Sequence, residues 1–145
     1  MVTTFILEMV FCFMASLFYA MIMNAPRKTI IHSSLIASVG YLVYIFFVNS
    51  GYDKLGFFMG TTVIAFWGEI NARRFKMPAT IFIFPGVIPI VPGFGLYQTV
   101  LALVENNIQS ALETGVNTFL NIGAMAVAMA MVSLAALKFG SRKTE

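Results

Sequence analysis

Residues 78–104 read PATIFIFPGVIPIVPGFGLYQTVLALV. Crossing about 30 Å of hydrocarbon takes about 20 apolar helical residues at 1.5 Å each, so the stretch is long enough to be a membrane helix. Pro85, Pro89 and Pro92 fall inside it, and two of them are followed by glycine. Each interior proline loses a backbone hydrogen bond and clashes with the preceding turn, at roughly 3 kcal/mol. Three of them work against a continuous helix. The expected form is a half-helix at about 79–84, an irregular stretch at 85–95, and a second half-helix at about 96–104.

Irregular backbone at membrane depth is tolerated only where protein buries it or where it lines a water-filled cavity. Many secondary transporters build solute sites at such broken helices, where a half-helix N-terminus offers free N–H groups to an anion. Gly86, Gly93 and Gly95 lack a Cβ and let a solute approach the backbone. Gln98 and Thr99 are expected in the first turn of the second half, facing the same gap. With Pro85, Pro89 and Pro92, these residues form the candidate solute pathway. The competing reading is a kink that shapes helix packing and touches no solute, since Pro and Gly are frequent in membrane helices.

Working outward, the whole chain is apolar: 59% of its 145 residues are hydrophobic, mean hydropathy is +0.88, and only 10% are charged. Soluble domains carry about 25% charged residues, so this surface is expected to face lipid. The net charge of +3 balances nine basic against six acidic residues, and the basic ones are scattered over short loops, with no stripe for nucleic acid. Cys12 is alone, which excludes an internal disulfide or a thiol metal site. The first apolar run is read as a mature helix rather than a signal peptide, because Glu8 interrupts it and Met23-Asn24-Ala25-Pro26 is a poor cleavage site.

Spans are expected at about 4–23, 29–48, 55–73, 78–104 (broken) and 117–138, in one transmembrane domain, 1–145. Cytoplasmic loops carry the excess of Lys and Arg. With five crossings and the N-terminus outside, Arg27, Lys28, Arg73, Arg74, Lys76, Lys138, Arg142 and Lys143 all fall inside, which is eight of the nine basic residues. If 78–104 were instead re-entrant, the split would be five against four. Charge therefore favours an all-α polytopic membrane protein with about five transmembrane segments, N-terminus outside and C-terminus cytoplasmic.

Ionisable groups inside a membrane are costly, so each needs a reason. Glu69 precedes Arg73 by four residues, and the plain expectation is an ion pair across one helical turn. The sharper hypothesis makes Glu69 and His32 a proton-coupling pair near the inner face; a lone His makes no metal site. Ser33, Ser34, Ser38, Thr61, Thr62, Asn117, Thr118 and Asn121 are expected to hydrogen-bond across helices or, second, to line a polar path. Gly56 and Gly60 form a GxxxG that is read as a packing face.

The FPGVIPIVPG stretch at 84–93, the loop MNAPRKTI at 23–30 and SSLIASVGYLVYIF at 33–46 resemble the small, YjjB-like subunit of the threonine/serine exporter (ThrE) family. The resemblance covers nearly the whole chain, and its Pro-rich motif is the most specific part. It implies a bacterial inner-membrane protein equivalent to the C-terminal membrane half of an exporter, working with a larger, YjjP-like membrane subunit. It also implies proton-driven export of small amino acids or of a related carboxylate such as succinate. Only Pro85, Gly86, Pro89, Pro92 and Gly93 match well enough to carry over.

The sequence holds no HExxH, P-loop, GxSxG or Cys cluster, so neither an enzyme nor an ATP-driven pump is expected, and no cofactor. A membrane scaffold that stabilises a partner and binds no solute is the alternative to a transport subunit. Self-association is a further possibility for a chain with so little internal surface to bury.

Overall fold

The computed structural model describes residues 2–141, and these form six α-helices: α1 Val2–Ile22, α2 Arg27–Asn49, α3 Asp53–Phe75, α4 Thr80–Val87, α5 Gly93–Val104 and α6 Ile108–Ser141. Arg142 and Lys143 lie outside the described residues. By length and composition, α1, α2 and α6 are apolar enough to cross a membrane. Helix α3 matches α2 at 23 residues but carries Asp53 and Lys54 at one end and Glu69, Arg73 and Arg74 at the other. Helices α4 and α5, at 8 and 12 residues, rise only about 12 and 18 Å and cannot cross singly.

Four helix ends close in the same way. Asn24, Gly51, Lys76 and Asn106 adopt positive φ. The next N–H then reaches back five residues, from Ala25 to Ala20, Tyr52 to Phe47, Met77 to Ala72 and Asn107 to Ala102, all at 2.9–3.0 Å. This αL closure satisfies carbonyls that lipid could not solvate, and it reverses the chain within three or four residues.

The core gathers Ile36, Phe57, Ile64, Ala65, Phe82, Ile83, Val87, Ile90 and Met125 between α2, α3, α4 and α6. Lipid tails are as apolar as these side chains, so close fit rather than water exclusion holds the helices together. Close fit requires small residues, and apart from Ile36 the buried face of α2 is Thr29, Ser33, Ser34, Ala37, Ser38 and Gly40. A Cβ at Gly56 would lie 3.0 Å from the Tyr44 carbonyl, and one at Gly60 3.0 Å from the Gly40 carbonyl. The GxxxG is thus consumed inside the chain, seating α3 on α2.

The hydroxyls expected to bridge helices mostly do not. Ser33 and Ser34 both donate to the Ile30 carbonyl at 2.8 Å, Ser38 to Ser34, Thr62 to Phe58 and Thr118 to Thr114. A carbonyl one turn back is always within reach, whereas a partner on a neighbouring helix must be positioned by packing. Large apolar side chains such as Phe11, Phe46, Phe119 and Leu134 stay exposed around the bundle. In a membrane protein this is the lipid-facing surface.

The register of contacts fixes the direction of each helix. Glu69 meets Ser133 and Arg73 meets Ala136, so α3 and α6 run parallel, and the same spacing sets Asn117 level with Asp53. The segment between them runs the other way. Ile83 meets Gly68, Gly86 meets Ile64 and Ile90 meets Gly60; then Gly95 meets Thr118 and Thr99 meets Gly115. Helices α4 and α5 together form one antiparallel return, the first part packed on α2 and α3, the second on α6.

Candidate functional site

The break in that return spans only 88–92, about half the expected length. Helix α4 continues through Pro85 to Val87 because the proline forfeits a single bond, to the Ile81 carbonyl, while buried Phe82, Ile83 and Val87 hold the helix against its neighbours. Within the break, Ile90 donates to Val87 at 2.9 Å, Val91 to Val87 at 3.1 Å and Gly93 to Val91 at 2.7 Å. Pro89 and Pro92 have no N–H to satisfy. The residues that interrupt the helix therefore also remove donors that the interruption would strand in lipid.

The candidate pathway residues divide into three groups. Pro85 and Gly86 are buried in helix packing, with Ile64 against Gly86. Pro89 and Pro92 are half-buried, and Gly93 is exposed, with open space where a Cβ would point. Gly95 packs on Thr118.

Because α5 starts at Gly93, Gln98 and Thr99 lie in its second turn rather than the first, and they do not face one gap. Gln98 is exposed. Thr99 donates to the Gly95 carbonyl at 2.7 Å and lines a groove of about 410 Å³ between α5 and α6, walled by Leu103, Leu112, Val116 and Phe119. Pro89, Pro92 and Gly93 are thus the residues that the break itself brings together.

Sequence reasoning weighed Thr61 first as an inter-helix contact and second as part of a polar lining, without relating it to the break. Its hydroxyl is completely buried and has no hydrogen-bond partner, and the same holds for Ser16 on α1. Thr61 follows Gly60, which stands against Ile90 in the break. An unpaired buried hydroxyl costs free energy, which makes this level of the bundle unusual for a purely structural site. Only the packing of α4 on α3 reveals it, since nothing in the sequence relates position 61 to position 90.

At the far end of α3, Glu69 and Arg73 do not form the expected pair with each other. The Ser133 hydroxyl donates to Glu69 Oε1 at 3.0 Å, and the Arg73 guanidinium donates to the Ala136 carbonyl. Helix α6 runs beside this face and offers both partners at the right height. His32 has other neighbours: its Nδ1 lies 3.0 Å from the Lys28 carbonyl and its ring stands edge-on to Phe75 at 4.7 Å. Among the described residues no cluster of three or more His, Cys, Asp or Glu side chains could hold a metal ion.

Residues 8–135 match the protein family described as Threonine/Serine exporter, ThrE. An uncharacterized protein of Haemophilus influenzae is 21% identical over 136 residues, covering 88% of this chain and 46% of that protein. The chain spans about half the length of this curated relative. No solved structure matches it.

Proposed function

The chain belongs to the threonine/serine exporter family, and from that premise we propose that it is a subunit of a secondary transporter for small amino acids such as threonine and serine, or for a related carboxylate such as succinate. A larger, YjjP-like membrane subunit completes the exporter in this reading. The match to less than half of the Haemophilus relative fits such a division of labour.

The observation that carries the proposal is the broken return at 78–104. Its two short helices keep one antiparallel register along α3 and α6, which supports a full crossing. Parallel α3 and α6 then fit five crossings, N-terminus outside and C-terminus in the cytoplasm of a bacterial inner membrane. Pro89, Pro92 and Gly93, with the open space at Gly93 and the unpaired Thr61 hydroxyl at the level of the break, are the proposed path lining. Such broken helices carry solute sites in other secondary transporters. Buried Pro85 and Gly86 position α4, and Gly95, Gln98 and Thr99 border the path on the α5 side.

The test is solute efflux from preloaded cells expressing this chain alone, the larger subunit alone, or both, with threonine, serine and succinate measured in parallel. Efflux only with both chains is the expected result and identifies the solute class. Equal efflux from the larger subunit alone would overturn the proposal and leave this chain a scaffold.

A further inference from the structure

Where the C-terminal ends of α3 and α6 meet the link to α4, a cleft of about 400 Å³ is bounded by Glu69, Arg73 and Lys76, with Pro78 and Ala79 on its wall. It lies at the foot of the broken return. Glu69 and Arg73 stand one turn apart on α3, a spacing at which opposite charges ordinarily neutralise each other. Helix α6 holds them apart: Ser133 anchors the carboxylate and the Ala136 carbonyl anchors the guanidinium.

Each group keeps most of its bonding capacity. A carboxylate has about four acceptor sites, of which Ser133 uses one, and a guanidinium has five N–H donors, of which Ala136 engages only part. Lys76, which ends α3 in a left-handed conformation, contributes a second cation to the same cleft. One anion and two cations are thus preset around a space the size of a small metabolite.

We infer that this cleft captures zwitterionic α-amino acids, with Arg73 and Lys76 taking the α-carboxylate and Glu69 the α-ammonium. Charge-assisted bonds of this kind are shorter and roughly twice as strong as neutral ones. Succinate would bring a second negative charge against Glu69, and a simple amine would meet two cations. The inference rests on the exporter reading and narrows it to amino acids in preference to dicarboxylates.

The test uses inside-out vesicles carrying the assembled exporter, with uptake of labelled L-threonine challenged by N-acetyl-L-threonine, L-threonine methyl ester and succinate. Native protein is expected to be inhibited by none of the three competitors at concentrations where unlabelled threonine competes fully. Glu69→Gln, which preserves the shape and the Ser133 contact, is expected to raise the KM for threonine about tenfold with kcat largely kept, since a bond to a charged group is worth about that factor. It should also let N-acetyl-L-threonine compete. Arg73→Gln should raise KM similarly, and Arg73→Lys should restore most of it, a recovery that a misfolded variant would not show. Threonine uptake with unchanged KM in both Glu69→Gln and Arg73→Gln overturns the capture site while leaving the exporter standing. Absence of threonine, serine and succinate transport by the native assembly overturns the exporter reading and the capture site with it.

Discussion

The side chain of Ile64 on α3 occupies the space in which Gly86 of α4 would carry a Cβ, 2.7 Å from Ile64 Cγ2. The same isoleucine abuts Gly40 of α2, where a Cβ would overlap its Cγ1. Three helices converge on one β-branched, completely buried residue whose χ1 is fixed in a helix and cannot swing aside. The first half of the broken return is held in place by this contact.

Gly86→Ala is therefore expected to destabilise the bundle by roughly 1–3 kcal/mol through overpacking. In an Ile64→Ala background the same substitution should cost nearly nothing, because the obstructing Cγ2 is gone. Thermal unfolding of the four proteins of this cycle in lipid nanodiscs measures the coupling. Strict additivity would show that α4 does not depend on this contact.

Gly51 isolates backbone strain from packing. Its φ is +84° and no atom lies within 4 Å of where a Cβ would stand. Gly51→Ala is expected to cost about 1 kcal/mol from the left-handed conformation alone. The converse, Asn106→Gly at φ 58°, should be neutral or slightly stabilising. Unfolding temperatures of the two variants should move in different directions or by clearly different amounts.

Much of this architecture is legible in the sequence, for identifiable reasons. The apolar runs give α1, α2 and α6 directly, and the three prolines announce that 78–104 is two helices. The limits of the break are not legible, because tertiary contacts of Phe82, Ile83 and Val87 carry α4 past Pro85. The start of α6 at Ile108, well before the expected 117, was hidden by Asn107 and Glu113, which read as a polar loop; Asn107 instead accepts from the Ser110 N–H just ahead of the helix and Glu113 sits on its exposed face. The partners of Glu69 and Arg73 were misread because the i,i+4 rule describes an isolated helix and takes no account of α6. Pairing of position 61 with the level of Ile90 depends on the register of α3 against α4, which no local pattern encodes.

Gly93 separates the path from the packing. Open space lies where its Cβ would point, so Gly93→Ala should leave thermal stability within about 0.5 kcal/mol of native. With Gly93 in the proposed solute path, efflux is nevertheless expected to fall about tenfold, since a small displacement at a backbone that contacts solute costs at least that much. Native efflux from a stable Gly93→Ala variant would remove the break from the solute path.

The parallel run of α3 and α6 makes the topology testable at three positions, Glu105, Lys138 and Lys76. If the chain returns fully along α4 and α5, the turn holding Glu105 is on the outer side and Lys138 on the inner side. A re-entrant segment would exchange those locations, because it would bring the chain back to the cytoplasm before α6 begins. Both residues are exposed, so single cysteines there are reachable, and replacing Cys12 by Ser clears the background. With a membrane-impermeant maleimide, Glu105→Cys is expected to label in intact cells and Lys138→Cys only after permeabilisation. The opposite pattern, with Lys76→Cys labelling like Glu105→Cys, would contradict the register of Gly86 on Ile64 and of Gly95 on Thr118, since those contacts require the segment to climb the whole height of the bundle; with Lys76→Cys labelling like Lys138→Cys it would instead invert the orientation and keep the register. Labelling at Lys76→Cys, at the other end of the return, should follow Lys138→Cys, because the parallel helices α3 and α6 end on the same side.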